Sequence, residues 1–187
     1  MARSRREVSG GHFYHVLNRG VRRSPLFDGD KNYEEFQHLL ACAGERVPMR
    51  LLAYTLMPNH WHLVLWPEQD GAISAYIKWL AGTHACNFNA RHRHVGAVYE
   101  SRFKSVPVQD DFHLLTVLRY VESNPVRASL VRRAEQWRWS SVTRPAVPRL
   151  TPSPVQRPVQ WLDLLADPSL DLLQAALAPD RGAHSGV

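Results

Sequence analysis

Four residues able to do chemistry fall at spacings that bring them together in pairs: His60 and His62 in MPNHWHLVLWP (57–67), and Tyr120 and Asn124 in FHLLTVLRYVESNP (112–125). The first run alternates like a half-buried strand. Trp61, Leu63 and Leu65 point one way and His60 and His62 the other, their Cα atoms roughly 7 Å apart. Two imidazoles on one face can converge on a metal ion, but two ligands do not define a catalytic site, so a third must come from elsewhere. In the second run Leu114, Val117, Leu118 and Val121 form a helical core stripe. His113, Thr116, Tyr120 and Asn124 form a neighbouring stripe at steps of three and four. Asn124 offers a carbonyl oxygen suited to a hard divalent cation such as Mg2+ or Mn2+, and Tyr120 offers a phenol able to act as a nucleophile. Each has a plainer reading: surface histidines on a strand, a tyrosine packing its ring, an asparagine ending a helix before proline.

The elements that must position these residues are legible in outline. HFYHVLN (12–18) reads as a strand turning at Asn18-Arg19-Gly20, and DGDKNYEEFQHLLACAGER as a helix with Asp28 or Asp30 as N-cap. LLAYTLM (51–57) and HWHLVLW (60–66) form a hairpin across Pro58-Asn59. AISAYIKWLAGTHACNF is a second helix on Ile73, Ile77, Leu80 and Phe88, and AVYESRFKSVPVQ (97–109) a long strand. The order βαββαβ predicts an α+β, ferredoxin-like fold: an antiparallel sheet with both helices on one face and the other face free for a partner. An extra C-terminal helix carries the tyrosine and is expected to stop at Asn124-Pro125.

Length and composition set the frame. The chain has 187 residues, 44% of them apolar, enough for one domain with a real core. Residues 1–144 are expected to be that domain, and 145–187 a proline-rich linker and short tail with a docking helix around WLDLLADPSLDLLQAAL. The net charge is +6, its excess lies before residue 145, and only three of the 23 basic residues are lysine. Arginine suits bidentate contacts to phosphate, which favours a nucleic-acid partner, although an arginine-rich genome would leave the same signature. Cys42 and Cys86 sit in apolar helical patterns without metal-like spacing and are expected as buried thiols in a reducing compartment. No segment approaches the ~20 apolar residues of a membrane span, so a cytoplasmic protein is expected.

Four blocks, HVLNRGVRRSPLF, AYTLMPNHWHLVLWP, VYESRFKS and RYVESNPVRASLV, resemble in order the single-tyrosine transposase family, most closely its REP-associated branch, a group of HUH endonucleases. The resemblance runs from about residue 10 to residue 143. It implies a ferredoxin-like fold, a divalent metal held by His60, His62 and Asn124, and Tyr120 as the nucleophile. It further implies attack on a DNA phosphodiester that leaves a 5′-phosphotyrosine link and a free 3′-hydroxyl. The implied substrate is a single-stranded DNA hairpin of a repetitive extragenic palindrome beside a short guide sequence. One position departs from the family pattern: Glu122 stands where histidine is common. Rotated about 160° from the ligand stripe, Glu122 is not expected to bind metal, but it could alter DNA contacts. With Asn124 as helix ligand a monomer with its site in cis is expected, a dimer being the alternative.

Arg19, Arg22, Arg23, Arg102 and Lys104 are candidate phosphate contacts, and the basic arm Arg3, Arg5 and Arg6 a further one. A second His-x-His at 92–94 lies in an Arg-rich loop and ranks behind the first as a metal site. Three readings stay open: a tyrosine-dependent DNA nuclease and strand transferase, a catalytically silent hairpin-binding protein, and a phosphoesterase that uses water. The tail is further expected to fold back and restrain activity.

Overall fold

The computed structural model describes residues 9–166. Its elements follow in the order β1 (Phe13–Arg19), α1 (Asp30–Arg46), β2 (Met49–Met57), β3 (His60–Pro67), α2 (Ala72–His92), β4 (Lys104–Val108), α3 (Asp111–Arg127) and a short α4 (Trp161–Ala166). All strand pairs are antiparallel and the spatial order is β2-β3-β1-β4, the ferredoxin-like arrangement. Strands β2 and β3 are joined by the two-residue turn Pro58-Asn59, with Met57 opposite His60.

Alternation on β3 divides the core into two layers. Trp61, Leu63 and Leu65 join Tyr14 and Val16 of β1 against Phe36 and Leu40 of α1 and Ile73, Ile77 and Leu80 of α2. Val64, on the face shared by His60 and His62, packs instead with Leu52 and Ala53 of β2 against Leu114, Leu118 and Val121 of α3. A register shift between Leu51 and Ala53 adds one residue to β2. That bulge lets Leu51 serve the first layer while Leu52 and Ala53 both serve the second.

Helix α3 begins at Asp110, whose side chain accepts from the backbone N–H of His113 at 2.7 Å. It does not end at Asn124: Pro125 lies inside the helix, which runs on to Arg127. A proline cannot donate to the carbonyl four residues back, here that of Val121. Thr55 of β2 replaces the missing donor, its Oγ1 lying 2.7 Å from the Val121 carbonyl. The tertiary contact therefore compensates the local defect and pins this turn of α3 to the sheet. Thr55→Val, which keeps shape but leaves that buried carbonyl unpaired, is expected to lower stability by about 1–3 kcal/mol in urea unfolding.

Three expectations need correction. The strand expected over 97–109 is ordered as β4 only from Lys104. Upstream, Tyr99 makes a single bridge to Gly20, and its hydroxyl is drawn into the core between Trp61 Nε1 (3.2 Å) and His84 Nδ1 (2.7 Å), which takes the chain out of the sheet. The second sheet face is not free: α3 covers β2 and β3 and packs with Phe13 and Val108 at one end of β1 and β4, while Lys104 and Val106 of β4 stay exposed. Neither cysteine is buried, Cys42 being half-buried and Cys86 exposed.

The chain after α3 lies along the outer edge of β2. Leu56 N–H donates to the Trp139 carbonyl, Trp137 Nε1 donates to the Leu56 carbonyl, and Thr151 N–H donates to the Leu51 carbonyl. These contacts protect a sheet edge that would otherwise be open. Residues 1–8 and 167–187 lie outside the described residues, and with them Arg3, Arg5, Arg6 and most of the expected tail helix. Among the described residues no helix is long and apolar enough to cross a membrane.

Candidate functional site

Strand pairing builds the site from β1 and β3, and α3 roofs it. His62 lies opposite Leu17 of β1 and Thr55 of β2. Because Thr55 also holds the Val121 carbonyl, the α3 turn that carries Tyr120 is fixed beside His62. The ring centroids of His60 and His62 are 4.9 Å apart, and the Tyr120 ring meets His62 edge-on at 5.6 Å. The structure thus brings both strand histidines and the helix tyrosine to one place, as their spacing suggests.

Burial differs among the three in a way that suits different tasks. His62 is 3% exposed and Tyr120 40%. Burial pulls His60 down to a pKa of about 4, helped by the nearby charge of Arg19. Burial, then His15, His60 and Arg19, pull His62 well below the usual histidine range. Both rings are therefore neutral at physiological pH and keep a lone pair for a ligand. His60 Nδ1 donates to Asn59 Oδ1 at 2.7 Å, which leaves its Nε2 as the unprotonated nitrogen. His62 Nε2 is buried and has no hydrogen-bond partner among the described residues.

Asn124 sits one turn beyond Tyr120, buried, with Nδ2 donating to the Tyr120 carbonyl at 2.8 Å. That contact turns the amide so that Oδ1 is its available acceptor. Among the described residues no three His, Cys, Asp or Glu side chains group as a metal site. A cation beside the two histidines would accordingly need a donor of another type, which an asparagine oxygen supplies. The orphaned Nε2 of His62 and the oriented Nε2 of His60 are donors that suit a divalent ion, and Asn124 offers an amide oxygen one helical turn from Tyr120.

Sequence reasoning missed His15. It lies on the site face of β1, its Nε2 2.9 Å from His62 Nδ1, its ring beside that of His62 with centroids 5.1 Å apart, and edge-on to Tyr120 at 5.7 Å. Burial, with a smaller effect of His113, lowers its pKa to about 4. Alternation in HFYHVLN placed His15 in phase with Phe13 and Leu17, but only the pairing of β1 with β3 shows which histidine it meets.

Glu122 is directed into the interior behind α3. It is 0% exposed; one carboxylate oxygen accepts from Ser141 Oγ (2.7 Å) and Arg157 Nη2 (3.0 Å), and the other from Trp161 Nε1 (2.7 Å). Its role is to tie the chain after residue 140 to the back of the tyrosine helix.

Of the candidate phosphate contacts, Lys104 pairs with Leu17 and so shares the site face, exposed on β4. Arg19 lies opposite His60 on the same face. Arg22 and Arg23 are exposed in the turn after β1, and Arg102 is exposed just before β4. Arg127, not singled out from sequence, places its guanidinium 5.5 Å over the Tyr120 ring. A pocket of about 240 Å³ between them is lined by His113, Thr116, Arg119 and Ser123. The second His-x-His is split by the end of α2: His92 pairs with Asp28 at 3.4 Å, Arg93 is the C-cap and His94 is exposed.

Comparison with known proteins identifies the fold and the family. A REP-associated tyrosine transposase of Escherichia coli K12 is 24% identical over 149 residues, covering 78% of this chain and 84% of that protein. A Haemophilus influenzae protein provisionally assigned to the same group is 26% identical over 156 residues, covering 77% and 87%. The fold matches the solved structure of a REP-associated tyrosine transposase bound to a REP hairpin, with a TM-score of 0.63 at 22% identity over 77% of this chain and 84% of that one. The model of the IS200-like transposases matches residues 9–124, from the turn before β1 to the asparagine after the tyrosine, and this chain belongs to that family.

Proposed function

We propose that the protein is a metal-dependent single-strand DNA endonuclease and strand transferase that acts on hairpin DNA through a 5′-phosphotyrosine intermediate on Tyr120. The observation that carries this reading is the contact of an exposed tyrosine with a buried histidine whose Nε2 has no partner. A phenol can form a phosphodiester directly, and a nearby cation would make the phosphorus more electrophilic. His60, His62 and Asn124 would hold Mg2+ or Mn2+, which when bound supplies Lewis-acid polarisation of the scissile phosphate.

Tyr120 Oη attacks phosphorus, its proton leaves as the O–P bond forms, and the bond from phosphorus to the 3′-oxygen breaks. Protonation of that oxygen gives a free 3′-hydroxyl. One phosphoester is exchanged for another, so the energy of the backbone bond is kept and a 3′-hydroxyl can later displace the tyrosine. Because the phenol and the two β3 histidines are held by different elements, the sheet presents the phosphate and α3 presents the nucleophile.

The exposed part of this sheet face supports a nucleic-acid substrate. Arg19 and Lys104 lie on that face and Arg22, Arg23 and Arg102 flank it, a cationic rim that can track a backbone. Exposed Val106 on β4 and Phe112 on α3 add apolar contact area. Single-stranded or hairpin DNA fits, because a phosphodiester must reach a tyrosine lodged between helix and sheet. The relative that matches in fold is described as bound to a REP hairpin, and we extend that partner class to this chain. A site in cis is supported by Tyr120, whose ring meets His62 of its own sheet at 5.6 Å, and a monomer would suffice for it.

The test is incubation of the purified protein with end-labelled hairpin oligonucleotides and Mg2+ or Mn2+, followed by protease digestion and mass spectrometry. A nucleotide carried on the peptide containing Tyr120 is the expected result. Hairpin cleavage with all label on free DNA, and no modified peptide, would sink the reading in favour of water as nucleophile.

A further inference from the structure

We propose that His15 is a positioning residue for His62: its Nε2 accepts the Nδ1–H of His62 and so holds His62 in the tautomer whose Nε2 lone pair points into the site. The proposal rests on the site reading above and goes beyond it, since neither the strand motif nor the helix motif contains His15. Val64 lies opposite His15 and Leu17 opposite His62, so the two histidines are diagonal neighbours on one face of adjacent strands. That placement brings the rings edge to edge, 23° from parallel with centroids 5.1 Å apart, and sets the nitrogens 2.9 Å apart.

Two neutral imidazoles at that distance share one proton, and only two assignments exist. If His15 donated, His62 would carry its own proton on Nε2: a buried N–H with no acceptor, on the one nitrogen a cation could use. If His62 donates, its Nδ1 is satisfied and Nε2 is left with a lone pair. The second assignment makes the two strand histidines equivalent, because His60 already donates from Nδ1 to Asn59 and Asn59 Oδ1 can only accept. Each ligand is then oriented by an outer partner, one from the hairpin turn and one from β1, the usual way a metal-binding imidazole is locked. His15 also lies edge-on to Tyr120, so the same ring supports the nucleophile.

The experiment is made on the full chain in two parts. In the metal-free protein, the 15N shifts and long-range couplings of the His62 ring report its tautomer; the Nδ1–H form is expected, and a dominant Nε2–H form overturns the proposal. Mn2+ affinity is then measured by calorimetry for wild type, His15→Phe and His15→Gln, with circular dichroism to confirm that each variant is folded. Phenylalanine keeps an aromatic ring beside Tyr120 but removes the acceptor, and Kd is expected to rise about 10–100-fold. Glutamine restores an acceptor and is expected to recover most of the affinity. Unchanged Kd in a folded His15→Phe overturns the proposal. Mn2+ binding that is absent in wild type, or unaffected by His62→Ala, would instead bring down the metal reading of the site, and the metal-free tautomer would then decide the His15 hydrogen bond by itself.

Discussion

Tyr120→Phe is expected to abolish the covalent protein–DNA adduct outright while leaving folding and hairpin binding nearly intact. The lost atom is the nucleophile, and no other side chain can form the same ester. The cost to the fold should be small, within about 0.5 kcal/mol, because the side chain is substantially exposed and its hydroxyl makes no hydrogen bond among the described residues. The ring remains against His15 and His62 and under the Arg127 guanidinium. A denaturing gel of labelled hairpin with wild type and variant side by side reads the adduct, and a filter-binding titration reads the affinity. Strand cleavage that persists in Tyr120→Phe at the wild-type rate would assign the nucleophile to water. Loss of binding together with cleavage would instead mean that the phenol holds DNA.

The second large effect is expected at Glu122→Leu, and it is an effect on stability. The carboxylate is fully buried and accepts from three donors that arrive from outside its own helix: Ser141, Arg157 and Trp161. Leucine of similar size leaves the indole N–H and the serine hydroxyl without acceptors and the guanidinium without its counter-charge. Removing one side of such a buried, charged network costs about 3–5 kcal/mol. Arg157 is 29% exposed, so its share is screened by solvent and the two neutral donors carry most of the loss. At about 2–4 °C per kcal/mol for a chain of this size, the midpoint of thermal unfolding should fall by roughly 6–20 °C. Glu122→Gln, which keeps one carbonyl acceptor, should lose distinctly less. A change in midpoint under 1 °C for Glu122→Leu would show that the chain after residue 140 is held by its apolar contacts alone, chiefly Trp161, Leu164 and Leu165 against α3.

The same network gives Glu122, where the family pattern commonly has histidine, a set of buried partners that helix periodicity does not reveal. Its rotation away from Tyr120 and Asn124 follows from helix geometry alone, and that much holds. What lies on the far side of the helix depends on residues 19 to 39 positions later in the chain. Pro125 teaches a similar lesson. Local chemistry says that a proline stops a helix, and it would, had Thr55 not supplied the hydrogen bond that proline withholds. Tyr99 is the reverse case: a β-prone stretch left the sheet because its hydroxyl found buried partners on Trp61 and His84.

By itself, the sequence determined the βαββαβ order, the two faces of β3 and the shared helix face of Tyr120 and Asn124. It also carried the four ordered blocks that the match to the IS200-like transposases then bore out. These are properties of period: two residues per strand repeat and 3.6 per helical turn place side chains without knowledge of any partner. Only the tertiary structure decided that α3 covers β2 and β3 on the second sheet face, that a proline could stay inside it, that Glu122 is a buried anchor and that His15 stands beside His62. Each of these rests on contacts between residues far apart in sequence, the hydrogen bonds among them spanning 19 to 66 positions. Hydrogen bonding and burial between distant segments depend on strand register and helix docking, and periodicity carries no information about either.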